Sequence, residues 1–227
     1  MPRISNPAFR FTLVALALVV AAHLLDPWAQ RYISDPDVYS EDWGRLLRVM
    51  GFYPLWALMG VAILLVDWPR QVACWKARAG QARRAGLLFL APALGGLLAE
   101  VGKLAFRRLR PTEIPGEYLF RSWAERPFYS GGLGLPSSHT VVAFAAAAML
   151  ARLFPRAAPV WYGLAAGCGL TRVAAGAHFL SDVVVGGIVG WGAAWLVWRW
   201  NFGQGPEAVV MPRVVLRDLG STPPLLA

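Results

Sequence analysis

The amino-acid sequence predicts an all-α integral membrane bundle of six transmembrane helices. Hydrophobic residues make up 57% of the 227 residues and charged residues 15%, with a mean hydropathy of +0.47. Soluble domains carry about 25% charged residues, so this composition is typical of a membrane protein. The apolar stretches are runs of Leu, Ala, Val and Gly without the alternation of β-barrel strands, which favours helices.

Six stretches approach the roughly 20 apolar residues that a spanning helix needs. They cover residues 8–25, 47–66, 85–104, 137–154, 158–177 and 179–198. The first begins just after Met1, and we interpret it as a retained helix rather than a cleaved signal peptide. We found no internal repeat, so residues 1–227 are predicted to form a single membrane domain.

Basic residues cluster at alternate helix ends, which fixes the predicted topology. They follow the second, fourth and sixth stretches: Arg70, Lys76, Arg78, Arg83, Arg84, Arg152, Arg156, Arg199, Arg213 and Arg217. The positive-inside rule places these segments, the N-terminus and the short tail 203–227 in the cytoplasm. This distribution accounts for much of the net charge of +9, and no nucleic-acid partner is expected.

The loop 105–136 is the exception, because it carries five arginines on the predicted outer side. They are Arg107, Arg108, Arg110, Arg121 and Arg126, and they are interleaved with aromatic residues. That mixture suits a segment in the lipid headgroup layer. Taken alone, Arg107 and Arg108 look like ordinary cations at a helix end.

Six polar side chains fall at the predicted outer ends of four helices, where charge is costly unless it has a function. They are Lys103, Arg110, His139, Arg172, His178 and Asp182. Pro136 and Ser137 are typical of a helix start, with Ser137 as the N-cap. The backbone amides of Ser138 and His139 would then be free to bind an anion. Since three cations converge there as well, the sequence predicts a phosphate site.

Two histidines give this site its chemistry. Asp182 lies four residues after His178 on one helix face, where a carboxylate can orient an imidazole. One histidine could attack phosphorus while the other protonates the leaving oxygen. Neither magnesium-type carboxylates nor a zinc spacing accompanies them, so no metal and no cofactor are expected. His23 is interpreted as a packed or interfacial side chain, and Glu100 as a partner of Lys103.

The order and spacing of these residues resemble the type 2 phosphatidic acid phosphatase (PAP2) superfamily of membrane lipid phosphatases. The first element, K-x6-R-P, corresponds to Lys103, Arg110 and Pro111. The second, P-S-G-H, corresponds to Pro136, Ser137 and His139, with Ser138 in place of glycine. The third, S-R-x5-H-x3-D, corresponds to Arg172, His178 and Asp182, with Thr171 in place of serine.

The resemblance implies a role for each motif residue. His178 is expected to be the nucleophile that forms a phosphohistidine, with Asp182 orienting it and His139 acting as the acid and then the base. The phosphate-binding residues are expected to be Lys103, Arg110, Ser137, Ser138 and Arg172. The family does this chemistry without a metal.

The predicted function is therefore an integral-membrane phosphatase for lipid phosphates or diphosphates at the outer leaflet. Its expected partners are the bilayer and a membrane lipid phosphate. The candidate substrates are undecaprenyl diphosphate, phosphatidylglycerol phosphate, phosphatidic acid and lipid A phosphates. In a bacterium the site would face the periplasm from the inner membrane. A lipid phosphotransferase with the same site and, more distantly, a transporter or channel remain as alternatives.

Overall fold

The structure, a computed structural model, describes residues 7–66, 75–112 and 114–202. These residues form seven α-helices, a short 3-10 turn at Pro155–Ala157 and no strand, which confirms the all-α prediction. The helices are α1 Pro7–Tyr32, α2 Asp42–Val49, α3 Tyr53–Val66, α4 Trp75–Phe106, α5 Ser138–Leu153, α6 Ala158–Ala174 and α7 Leu180–Phe202. The predicted tail 203–227 lies outside the described residues.

Within the described part of the chain, three helices are long and apolar enough to cross a membrane, namely α1, α4 and α7. A fourth crossing results if α2 and α3 are counted as one bent span. Helices α5 and α6 have 16 and 17 residues. At 1.5 Å per residue they are shorter than a hydrocarbon core of about 30 Å. The sequence predicted six spans. By length and composition, three of the described helices qualify as spans, and the bent pair α2–α3 would make a fourth.

The predicted continuous helix over 47–66 is wrong, because the chain breaks between α2 and α3 with a bend of 67°. Pro54 has no amide hydrogen to donate to the carbonyl of Met50. That carbonyl instead accepts a hydrogen bond of 2.8 Å from the indole of Trp56. Gly51 lies within the break, and a Cβ there would approach the Cβ of His139 to 2.6 Å. The bend therefore brings backbone directly against a predicted site residue.

Helix α5 lies at the centre of the bundle and packs against α4, α6 and α7. Close approach depends on small residues, as is common between membrane helices. A Cβ on Gly190 of α7, for example, would lie 2.3 Å from the carbonyl oxygen of Val141. Helix α1 packs at the edge, mainly on α7. It also extends to Tyr32, beyond the predicted stretch 8–25, so Asp26 is a buried helical residue.

Candidate active site

The ends of four helices meet at one end of the bundle. The start of α5 is joined to α7 by the backbone amide of Ser137, which donates to the carbonyl of Asp182 at 3.1 Å. It is joined to α4 by the hydroxyl of Ser138, which donates to Glu100 Oε1 at 2.9 Å. Helix α6 ends at Ala174, and a turn with Gly176 at φ 62° leads to His178. Helices distant in sequence therefore deliver their polar ends to one place.

All six side chains that the sequence singled out lie close enough to interact electrostatically. His139 interacts with Lys103, Arg172 and His178. His178 interacts in turn with Arg110, Arg172 and Asp182. The two histidines, the three cations and Asp182 therefore lie near one another at the ends of these helices.

His178 and Asp182 are both buried, and His178 Nδ1 lies 3.4 Å from Asp182 Oδ2. This is longer than an ordinary hydrogen bond. Oδ2 also accepts the backbone amide of Phe179 at 3.0 Å, three residues earlier, as in a capping box at a helix start. Burial lowers the pKa of His178, although Asp182 opposes the shift. The imidazole is therefore neutral at neutral pH, the form that a nucleophile needs.

The three cations differ in how they are held. Lys103 is buried and pairs with Glu100 Oε1 at 2.9 Å. Arg172 is also buried and donates from Nη1 to the hydroxyl of Tyr39 at 2.9 Å, while its Nε has no hydrogen-bond partner among the described residues. Partial burial and the neighbouring Arg172 lower the pKa of Arg110. An anion between the two arginines would relieve their repulsion.

The hydroxyls of Ser137 and Ser138 each contact a neighbouring side chain. Ser137 occupies the N-cap position of α5, but its side chain makes no capping bond and instead accepts from the hydroxyl of Thr140 at 3.1 Å. Ser138 turns its hydroxyl to Glu100. The first amides of α5 have no acceptor within the helix, so the helix start retains donors for an anion.

Sequence reasoning missed several residues that support the site. Arg108, expected to be an ordinary helix-end cation, is buried and forms an ion pair with Asp182. Asp26 accepts hydrogen bonds from Ser181, the residue before Asp182. Neither belongs to a motif with a recognisable spacing to its partner. The signal available for Asp26 was that it is the one acidic residue of α1.

Residues 84–206 match the family model described as the PAP2 superfamily. The chain belongs to this superfamily. The matched range contains all eight candidate site residues of this PAP2 protein, from Lys103 to Asp182.

Two curated relatives of this PAP2 protein are both named lipid A 1-phosphatase. The protein from Rhizobium johnstonii is 37% identical over 99 residues, which cover 44% of this chain and 40% of the relative. The protein from Rhizobium etli is 35% identical over 99 residues, covering 44% and 42%. The match therefore spans about two-fifths of the length of these relatives.

A crystal structure of Aquifex aeolicus LpxE is also similar, with a TM-score of 0.42 and 20% sequence identity. It covers 69% of this chain and 92% of the other.

Proposed function

We propose that this protein is an integral-membrane lipid phosphatase that hydrolyses phosphate monoester or diphosphate groups through a phosphohistidine intermediate. The observation that carries the proposal is the meeting of two histidines with three cations at the ends of α4, α5, α6 and α7. Membership of the PAP2 superfamily and two relatives named as phosphatases support the same chemistry.

The proposed reaction has two steps. In the first, the free nitrogen of His178 attacks phosphorus, the bond to the leaving oxygen breaks, and His139 gives that oxygen a proton. In the second, His139 takes a proton from water, whose oxygen displaces the histidine and releases inorganic phosphate. Lys103, Arg110, Arg172 and the first amides of α5 offset the charge on the phosphoryl oxygens in both steps. Asp182 stabilises the charge that develops on His178.

We further propose six membrane segments, both termini in the cytoplasm and the site at the outer face, which is the periplasmic face of a bacterial inner membrane. Three helices of sufficient length and the bent pair supply four of these segments, and α5 and α6 the others. The outer loop carries exposed aromatic side chains suited to the headgroup layer: Phe120, Trp123, Phe128 and Tyr129. A lipid phosphate in that layer would lie level with the helix ends.

Lipid A with a 1-phosphate is the first substrate to test, because both curated relatives carry that activity in their names. Undecaprenyl diphosphate, phosphatidylglycerol phosphate and phosphatidic acid complete the panel, since all four present a phosphate at the membrane surface. The chemistry of the site fits each of them.

The test is release of inorganic phosphate from this panel by the purified full chain and by His178→Ala. We expect at least one lipid to be hydrolysed by the native protein and none by the variant, with both proteins eluting alike in detergent. Full activity of His178→Ala would contradict the mechanism. Phosphate transfer that requires a second lipid would identify a phosphotransferase, and no phosphate chemistry with any lipid would favour a transporter.

A further inference from the structure

Arg108 is a buried cation directly beside the catalytic carboxylate. It follows the end of α4 by two residues and is 3% exposed. Its Nη2 forms an ion pair with Asp182 Oδ1 and donates to Ser181 Oγ at 2.8 Å. Its Nη1 lies 3.3 Å from His23 Nε2. His23 Nδ1 contacts the carbonyl of Val19 at 2.8 Å, so that nitrogen carries the hydrogen and Nε2 accepts from Arg108.

The guanidinium of Arg108 is enclosed by protein rather than open to a substrate. It lies over the rings of Tyr118 and Phe179, 5.0 and 5.1 Å from their centroids. Arg110, two residues later, is exposed, and its side chain makes no hydrogen bond to any described residue. Arg108 and Arg110 therefore differ in their surroundings: the Arg110 side chain is available to a phosphate, and the Arg108 side chain is committed to Asp182.

Asp26 of α1 is a second carboxylate that contacts the residues around Arg108. Asp26 Oδ1 accepts the backbone amide of Ser181 at 2.8 Å. Its Oδ2 accepts the hydroxyls of Ser181 and Tyr118 at 2.5 and 2.7 Å. Because Ser181 also accepts from Arg108, the start of α7 is fixed between the edge helix and the outer loop.

We propose that Arg108 is a positioning residue for the phosphatase reaction, acting through Asp182. The proposal rests on the proposed function. By occupying Oδ1, Arg108 leaves Oδ2 to face His178 and the amide of Phe179, which sets the direction of the imidazole. A buried carboxylate also needs a countercharge, since an unpaired charge in the interior is strongly destabilising.

Removing the cation should change the titration of His178 as well as its position. The groups that face this imidazole are Asp182 from α7, Arg172 from α6, His139 from α5 and Arg110 from the loop. Arg108 offsets part of the negative charge of Asp182. Without it, Asp182 stabilises the imidazolium more strongly, so the pKa of His178 rises and the acidic limb of kcat/KM moves to higher pH.

The experiment compares Arg108→Gln, Arg108→Lys, Asp182→Asn and the double variant Arg108→Gln/Asp182→Asn, with Arg31→Gln as the control. Arg31 is an exposed arginine at the end of α1. We expect Arg108→Gln to lower kcat by about 10- to 100-fold, a loss like that seen when the hydrogen-bond partner of a metal-binding side chain is removed. KM should stay unchanged, and the acidic limb should move to higher pH. Arg108→Lys keeps the charge and should keep the limb in place with a smaller loss of kcat.

The double variant should be no slower than Asp182→Asn alone, because Arg108 acts through that carboxylate. The proposal would be overturned if the loss of kcat in the double variant equalled the product of the two single losses. It would also be overturned by a raised KM with native kcat in either Arg108 variant. If Arg108→Gln does not fold, Arg108→Lys provides the test. A lower kcat with unchanged KM supports the proposal, and a raised KM with native kcat contradicts it. Native activity of Asp182→Asn would instead refute the proposed function. Loss in Asp182→Asn with native behaviour of the Arg108 variants would refute this inference alone.

Discussion

Ser138 illustrates how far the site depends on backbone atoms. It replaces the glycine of the family motif at the first residue of α5, yet its hydroxyl points to Glu100 and leaves the amide unobstructed. The same Glu100 oxygen accepts from Lys103, so Ser138 and Lys103, which we propose binds phosphate, are held by a shared partner. The departure from the motif is therefore accommodated by a contact that the sequence did not reveal.

Replacing Ser138 with proline removes the amide hydrogen while preserving the helix start. Proline is favoured at the first helical position, and Ser137 has the extended conformation that must precede it, with φ −70° and ψ 109°. We expect kcat to fall by about 10²–10³-fold, as when one oxyanion donor is lost. The measurement is steady-state phosphate release. The matched variant Ser138→Ala keeps the amide and should retain most of the activity; equal losses in both would contradict a role for the amide.

At this scale, the sequence predicted the histidines and cations of the candidate site but not the side chains that hold Asp182 and the start of α7 in place. His178 and Asp182 were identifiable because their spacing on a helix is fixed by helix geometry. The pairing of Arg108 with Asp182 depends on the path that the chain takes in the loop after α4. The contact of Asp26 with Ser181 depends on how α1 packs on α7. Neither arrangement leaves a spacing in the sequence.

Among the elements, the loop between α4 and α5 is organised around the side chain of Arg107. The guanidinium of Arg107 is buried and donates to four backbone carbonyls in the same loop. These are Arg121 at 3.0 Å, Ser122 at 2.8 Å, Glu125 at 2.6 Å and Pro127 at 3.2 Å. Two isolated bridges, Arg108–Phe120 and Leu109–Leu133, complete the framework. The sequence predicted an interfacial loop from its composition, but composition carries no information on a central cation of this kind.

Arg107→Ala should therefore make the loop between α4 and α5 more mobile. Hydrogen bonds from a charged group contribute about 1.5–3 kcal/mol each, so their joint loss should make the loop markedly more sensitive to limited digestion by proteinase K. Arg126→Ala is the matched control, because Arg126 is exposed and has a similar backbone, with φ 46° against 53° for Arg107. Equal digestion of the two variants would show that the backbone strain, and not the hydrogen bonds, determines the stability of the loop.

For the whole molecule, the distribution of charge and hydropathy predicts how the chain is oriented in the membrane. The arrangement of the helices alone does not give this orientation. The apolar helices show that the chain suits a membrane, and the basic clusters distinguish its two sides. The break between α2 and α3 could not be read from hydropathy, because both halves are apolar. Gly51 and Pro54 were its local signals.

The proposed orientation is tested with a small epitope tag at either of two positions. A tag at residue 120 should be labelled in intact spheroplasts, because that loop is proposed to face outward. A tag at residue 76 should be labelled only after the membrane is permeabilised. The reverse pattern would place the candidate site in the cytoplasm and exclude substrates confined to the outer leaflet.

The central claim is that His178 receives the phosphoryl group, while His139 acts as the acid in the first step and as the base in the second. The most direct measurement is mass spectrometry of His139→Ala after reaction with p-nitrophenyl phosphate and quenching at alkaline pH. This leaving group needs no acid, whereas hydrolysis of the intermediate needs His139 as a base. We predict that the variant accumulates one phosphoryl group, located on His178. A phosphoryl group on any other residue, or none while p-nitrophenol is still released, would contradict the account.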